Sequence, residues 1–287
     1  YDMFNKRADT YCERVYSPWP DLHAIMKEKN IPLFSLETQR PVKNADFLGI
    51  TLQYEMCYTN VIQILDLSHI SIYAKDRGED EPIVMGGGPC SYNPEPIADF
   101  FDMFYIGEGE VSYDELLDTY KEYKRAGKSR REFLVAAAKI PGIYVPSLYD
   151  VDYNEDGTIK SFESNIADIP STIKKQVVMA IDDVPYPTKP LVPYIKATQD
   201  RIVLEIMRGC IRGCRFCQAG MIYRPTRQKN IETLKQYALE MIKNTGYEEI
   251  SLSSLSSSDY EALKELTDFL IDDLGSNHIN ISLPSLR

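Results

Sequence analysis

Between residues 33 and 125 short apolar runs alternate with amphipathic segments. The runs at 33–38, 46–52, 82–87 and 102–107 each end at a glycine or a polar turn, which predicts four strands. The segments at 59–67, 94–100 and 111–127 are predicted helices, the last with leucines at helical spacing. Strands that alternate with helices indicate an α/β fold with a doubly wound parallel sheet of the Rossmann type.

A different pattern separates this region from a second α/β region. The segment 149–163 predicts a hairpin around an Asp-Gly turn, and four prolines between Pro185 and Pro193 favour an extended connector. Strands are predicted again at 201–207, 249–255 and 279–283, with helices at 231–244 and 259–274 and a stop at Gly275. This order is typical of the first βα units of a TIM-type barrel or of another open sheet.

The chain therefore divides into three parts. We assign a first α/β domain to residues 1–138, a hairpin and proline-rich linker to 139–199, and the start of a partial barrel to 200–287. The sequence begins with Tyr rather than Met and ends directly after a predicted strand, so we expect it to be a piece of a longer protein.

Composition and charge narrow the class of protein. Hydrophobic residues make up 44% and charged residues 26%, which is ordinary for a globular chain. The net charge of -11 argues against general nucleic-acid binding, because phosphate contacts need clustered Lys and Arg. No apolar run approaches the length of about eighteen residues that a membrane helix requires. We expect a cytoplasmic protein without a membrane partner, whose thiols stay reduced.

Three of the six cysteines lie in one short stretch, RGCIRGCRFCQAG. Cys210, Cys214 and Cys217 have the spacing C-x3-C-x2-C and follow a predicted strand. A structural zinc site normally needs four ligands, and no fourth cysteine or histidine lies nearby. Three thiolates suit a 4Fe–4S cluster that leaves one iron open, whereas structural zinc and buried free thiols are the alternatives.

Basic residues crowd the same region. They could form a patch that holds an anionic cofactor, or they could belong to a solvated loop. The residues are Arg208, Arg212, Arg215, Arg224, Arg227 and Lys229.

The stretch CIRGCRFCQAG resembles the cluster motif of the radical S-adenosylmethionine enzymes, C-x3-C-x-aromatic-C, with Phe216 at the aromatic position. The resemblance implies that Cys210, Cys214 and Cys217 bind a 4Fe–4S cluster and that Phe216 lies near the adenine. It also implies reductive cleavage of S-adenosylmethionine to a 5'-deoxyadenosyl radical, with an electron donor such as flavodoxin or ferredoxin.

One motif departs from the family pattern. Many members have a Gly-Gly-Glu segment after the second strand, which holds the methionine amino group, whereas this chain has SLSSLSSSDY at 251–260. The hydroxyls of Ser254, Ser256 and Ser257 are candidates for binding the amino acid moiety. A serine-rich strand end that caps the next helix is the alternative.

The likeness extends over most of the chain, to a subgroup whose N-terminal domain resembles a cobalamin-binding domain. His23 lies in a D-x-H that lacks the following glycine, and it is typical of a helix start rather than a cobalt ligand. Gly86, Gly87, Gly88 and the loop after Leu52 are the candidate cradle for cobalamin. The alternative is a degenerate domain that shapes the substrate cavity or binds a partner.

The leading hypothesis is a radical S-adenosylmethionine enzyme that transfers a methyl group with cobalamin or rearranges an unreactive carbon. One alternative is radical modification without cobalamin, for example thiolation. Another is a non-catalytic interaction protein that binds zinc or a cluster. The substrate is not identified, and this chain alone is expected to be inactive.

Overall fold

The computed structural model describes residues 1–195, 198–274 and 279–286. The chain divides into two units, Tyr1–Val177 and Val178–Arg287. The division falls inside the segment assigned to the linker, so that the hairpin belongs to the first unit and the proline-rich part to the second. No helix in the described ranges is long and apolar enough to cross a membrane.

The first unit is built on a four-stranded sheet with the strands in chain order. The first three strands are parallel, and the fourth is antiparallel to the third. The strands are β1 (Phe47–Thr51), β2 (Ile83–Gly87), β3 (Met103–Tyr105) and β4 (Ile143–Tyr144). The helices of this unit are α1 (Asp2–Asn5), α2 (Pro20–Lys29), α3 (Tyr58–Leu67), α4 (Tyr113–Arg125) and α5 (Arg130–Ala137). A hairpin of β5 (Tyr149–Tyr153) and β6 (Ile159–Ser164) follows, as predicted.

Two predicted elements of this unit take another form. The run at 33–38 forms an isolated antiparallel bridge, Phe34 with Pro41, instead of a strand: Ser35 N donates to Arg40 O at 3.0 Å, whereas Leu33 N donates to Leu67 O at 2.8 Å. The predicted helix at 94–100 is a 3-10 helix, Glu95–Phe100. The edge strand β4 has two residues and is too short to leave a periodic pattern.

A buried ion network fixes the amino end of β3. The Asp102 carboxylate accepts from Arg77 Nη1 at 2.9 Å and from Arg130 Nη2 at 2.7 Å. The same carboxylate accepts from the backbone N of Val84 at 2.7 Å, next to the start of β2. The side chains of Arg77 and Asp102 are 0% and 2% exposed. This network joins β2 and β3 to α5 near the amino ends of the two strands, whereas the glycines 86–88 lie at the carboxyl end of β2.

The second unit contains a three-stranded parallel sheet of the order β11-β10-β7. The strands of this sheet are β7 (Ile202–Glu205), β10 (Glu249–Ser253) and β11 (Asn280–Ser282). The strands β8 (Met207–Arg208) and β9 (Arg227–Gln228) form a separate antiparallel pair. Its helices are α6 (Ala219–Ile222), α7 (Ile231–Thr245) and α8 (Leu263–Leu274). The α/β fold and the βα order of the second part are thus confirmed.

Helix boundaries in this unit follow local chemistry. The Asn230 side chain caps α7 by accepting from Glu232 N, and α7 ends at Gly246 in the left-handed region, φ 71°. The helix α8 begins at Leu263, four residues later than predicted, because Ser257–Asp259 forms a 3-10 turn. The stop predicted at Gly275 lies outside the described residues.

The proline-rich segment covers the outer edge of β7. The Tyr186 hydroxyl donates to Val203 O at 2.7 Å and accepts from Glu205 N at 3.1 Å. The Tyr186 ring stacks on Tyr237, with centroids 4.9 Å apart and an interplanar angle of 6°. The Lys229 ammonium lies 5.4 Å from the Tyr186 centroid. The Tyr186 hydroxyl therefore occupies two backbone groups of β7 that would otherwise be available to an adjacent strand.

Candidate functional site

The three clustered cysteines lie in a loop that connects β8 to α6, beyond the carboxyl end of β7. The loop starts at Gly209, which has φ +80°. A Cβ at this position would lie 2.7 Å from the carbonyl oxygens of both Tyr223 and Pro225. Only glycine fits, because both the left-handed backbone and the close approach exclude a side chain.

The thiols of Cys210 and Cys217 accept backbone hydrogen bonds. Arg212 N lies 3.4 Å from Cys210 Sγ, and Gly220 N lies 3.4 Å from Cys217 Sγ. Cys210 is buried, with 4% exposed, and Cys214 and Cys217 are half-buried. All six cysteines fall in the described ranges, and none of them forms a disulfide bond.

The donor set fits an iron–sulfur cluster. Thiolates are soft ligands that favour iron–sulfur clusters, and hydrogen bonds to the sulfurs adjust the reduction potential of such clusters. Within residues 1–195, 198–274 and 279–286, no three Cys, His, Asp or Glu side chains are grouped to hold a metal ion. The fit therefore rests on the ligand types, their spacing in one loop and the two N–H···S bonds.

Phe216, at the aromatic position of the motif, is 90% exposed. It directly precedes the half-buried Cys217. A ring with this exposure is accessible to a planar ligand beside the thiols.

The serine-rich segment at the end of β10 is largely used for internal hydrogen bonds. Ser257 Oγ donates to Pro284 O at 2.6 Å and lies 3.0 Å from Ser254 Oγ. Ser256 Oγ donates to Asp259 Oδ2 at 2.8 Å. Ser256 and Ser257 are 0% exposed, whereas Ser254 is half-buried. Of the serine candidates, Ser254 is the most exposed residue.

The basic residues around the loop do not form one surface patch. Arg227 is 6% exposed and donates to Val178 O at 2.7 Å, and Lys229 is 2% exposed and donates to Ile181 O at 2.6 Å. Arg208 Nε lies 2.9 Å from Glu205 Oε1. Both expectations, an anionic site and a solvated loop, are wrong for Arg227 and Lys229, because these two side chains anchor the segment 178–181.

Asp259 is a site residue that the sequence analysis missed. Its carboxylate accepts from Arg212 Nε at 2.9 Å and also contacts Arg212 Nη2. This hydrogen bond with Asp259 raises the pKa of the Arg212 guanidinium. The contact joins residues 47 positions apart, and the only sequence signal was an acidic residue after a serine run.

In the first unit Gly86 and Gly87 are the last two residues of β2, and Gly88 directly follows the strand. A Cβ on Gly86 would lie 2.6 Å from Phe104 Cδ1, and a Cβ on Gly88, which has φ +98°, would lie 2.9 Å from Leu52 O. A Cβ on Gly87 would meet nothing within 4 Å. Internal packing therefore accounts for Gly86 and Gly88, and Gly87 is the candidate that is open to a ligand.

Family models match both parts of the chain. Residues 1–146 match the family described as "Radical SAM proteins, N-terminal", and residues 204–287 match the "Radical SAM superfamily". A relative from Methanocaldococcus jannaschii, itself uncharacterized, is 35% identical over 266 residues, which is 91% of this chain and 49% of the relative. The chain thus spans about half the length of this curated relative.

Solved structures add a weaker likeness. Two structures of the radical S-adenosylmethionine methyltransferase TsrM from Kitasatospora setae, one with its tryptophan substrate and an S-adenosylmethionine analogue and one with cobalamin and a 4Fe–4S cluster, have 13% identity and a TM-score of 0.46. They cover 91% of this chain and 46% of the TsrM chain. This likeness is too weak to support an assignment of fold or function. The two family models, one over each part of the chain, show that the chain belongs to the radical S-adenosylmethionine (radical SAM) proteins.

Proposed function

We propose that Cys210, Cys214 and Cys217 bind a 4Fe–4S cluster and that the protein is a radical SAM enzyme. The observation that carries the proposal is the loop itself, which presents three thiols beyond the carboxyl end of a parallel strand. Membership of the family implies both the cluster and S-adenosylmethionine. When bound, the cluster supplies the electron that cleaves S-adenosylmethionine to methionine and a 5'-deoxyadenosyl radical.

The residues of the loop support this role through hydrogen bonds. Thiolate charge at Cys210 and Cys217 is stabilised by the amides of Arg212 and Gly220. Phe216 contacts the adenine in this proposal, and Ser254 offers a hydroxyl to the amino acid moiety. The required external electron comes from a flavodoxin or a ferredoxin, and the free thiols fit a reducing, cytoplasmic compartment.

For the first unit we propose cobalamin binding at the carboxyl edge of the sheet, beside Gly87. Parallel α/β sheets bind ligands at this edge, and Gly87 leaves the approach open. The reaction is then methyl transfer or rearrangement at an unreactive carbon. The alternative is radical modification without cobalamin, such as thiolation. Tight corrinoid binding that Gly87→Val weakens supports the first reading, and no corrinoid binding by the wild-type protein supports the second.

The decisive experiment is electron paramagnetic resonance of the protein after anaerobic reconstitution with iron and sulfide. The expected result is a reduced-cluster signal that changes on adding S-adenosylmethionine and is absent in Cys214→Ala. A cluster whose signal ignores S-adenosylmethionine would contradict the enzyme proposal. A colourless protein that binds zinc instead would support the non-catalytic alternative.

A further inference from the structure

One ion pair ties the cysteine loop to the segment that follows β10. Arg212, between the first two cysteines, makes a two-pronged contact with Asp259: Nε lies 2.9 Å from Oδ2, and Nη2 contacts Oδ1. The Asp259 side chain is 8% exposed and the Arg212 side chain 47% exposed. A two-pronged contact fixes both distance and orientation, which a single contact does not.

Both partners are held in place by further contacts. Ser256 Oγ donates to Asp259 Oδ2 at 2.8 Å, so the carboxylate is oriented from its own 3-10 turn. Arg224 Nη2 donates to the backbone O of Arg212 at 3.1 Å. The backbone N of Arg212 in turn donates to Cys210 Sγ. The residue that Asp259 holds is therefore the residue that bonds to the first thiol.

The same pair connects two parts of the candidate site. Arg212 belongs to the loop that carries the thiols, and Asp259 belongs to the turn beside Ser254, which is the most exposed of the serine candidates. A shift of the loop relative to the end of β10 would change both the N–H···S bond at Cys210 and the distance from the thiols to Ser254.

We infer that the Arg212–Asp259 pair is a positioning device that sets the cysteine loop against the end of β10. The inference rests on the proposed function, since it assigns the pair a role toward the cluster held by the three cysteines. Neither residue touches the reacting atoms. Loss of the pair loosens the N–H···S bond, lowers the reduction potential of the cluster and weakens binding of S-adenosylmethionine.

The test compares Arg212→Gln, Arg212→Lys and Asp259→Asn with the wild-type protein. Glu265→Gln is the matched control, because it also removes one carboxylate of an ion pair in this unit, 3.0 Å from Lys235, away from the cysteine loop. After anaerobic reconstitution, the concentration of S-adenosylmethionine that gives half of the spectral change should rise about tenfold in all three variants. The midpoint potential should fall in the same three variants, and Glu265→Gln should match wild type in both.

Arg212→Lys separates geometry from charge. Lys keeps the positive charge but cannot make the two-pronged contact, so it should behave like Arg212→Gln. Wild-type behaviour of Arg212→Lys beside a defective Arg212→Gln would show that charge alone matters, which would overturn the positioning role. If Asp259→Asn does not fold, the two variants of the half-exposed Arg212 carry the test.

A second readout needs no cluster. Cys210 is 4% exposed, so its alkylation by iodoacetamide reports opening of the loop. In cluster-free protein, alkylation of Cys210 should be severalfold faster in Arg212→Gln and Asp259→Asn than in wild type or Glu265→Gln. An unchanged rate would overturn the inference. If the wild-type protein does not respond to S-adenosylmethionine, the proposed function is wrong. If the wild-type response is normal and the variants behave like wild type, only the positioning role of this pair is wrong.

Discussion

At the scale of single residues, the candidate site depends on positions that tolerate only one side chain. The three cysteines could be singled out as candidates from the sequence, because their spacing and their place after a strand are local features. Asp259 was not, since its role depends on a contact with Arg212 that only the folded chain creates. The consecutive glycines 86–88 could be found as a group in the sequence, but only packing separates Gly87 from the other two.

Gly209→Ala should displace the cysteine loop. Its φ of +80° and the two carbonyl oxygens 2.7 Å from the new Cβ give an expected cost of about 2 kcal/mol in stability and a loss of iron incorporation. Iron per chain after reconstitution and the unfolding midpoint measure both effects. Gly213→Ala is the control, because its Cβ would meet nothing within 4 Å. Equal iron content in the two variants would contradict this reading of Gly209.

Glu132 should give α5 a pH-dependent contribution. The hydrogen bond from Lys128, followed by those from Ser129, lowers the Glu132 pKa from 4.5 to about 2. A carboxylate with a lowered pKa stabilises the folded state above its unfolded pKa, and this contribution fades as the pH falls from 4.5 toward 2.

Urea unfolding of wild type and Glu132→Gln checks this expectation. Gln retains hydrogen-bond capacity but no charge, so the wild-type protein should be more stable at pH 7. The difference should shrink below pH 4.5. A difference that stays constant down to pH 3 would show that the charge of Glu132 contributes nothing.

At the scale of elements, segments with a clear apolar run or period were predictable, whereas the two-residue strands β4 and β9 were not. The ends of β1, β2 and β10 fall within two residues of their predicted positions. The run at 33–38 misled the prediction, because the chain turns at 36–38 and Phe34 pairs in an isolated bridge with Pro41. The start of α8 depends on the Ser256–Asp259 hydrogen bond, which periodicity does not record.

Asp102→Ala should destabilise the first unit strongly. The substitution leaves the buried guanidinium of Arg77 without its carboxylate and removes the acceptor for Val84 N. Breaking a buried pair in this way costs about 3–5 kcal/mol. Denaturant unfolding measures the cost. Asp114→Ala, which breaks an exposed pair with Arg7, should cost less than about 1 kcal/mol; a similar cost for both variants would contradict the assigned role of the network.

At the scale of the whole molecule, the sequence predicted two α/β parts, and the structure divides into two units. The composition of the proline-rich segment predicted that this segment is a connector. It did not predict that the Tyr186 hydroxyl bonds to the backbone of β7. A tyrosine between prolines carries no periodic signal, so its contact could be seen only in the folded chain.

Tyr186→Phe should weaken the edge of β7 while the ring stacking on Tyr237 is retained. The lost hydroxyl removes two hydrogen bonds and should cost about 1 kcal/mol. Hydrogen exchange at the amide of Glu205 should accelerate, whereas amides of β1 in the first unit should not change. Unaltered exchange at Glu205 would show that the hydroxyl does not protect this edge.

The Tyr186 hydroxyl also has a consequence for self-association. A bare strand edge invites pairing with another copy of the chain, which is a common start of aggregation. At β7 the Tyr186 hydroxyl opposes such pairing, because it already bonds to Val203 O and Glu205 N. Pairing with a second copy along this part of β7 would therefore require the Tyr186 hydroxyl to leave both backbone groups.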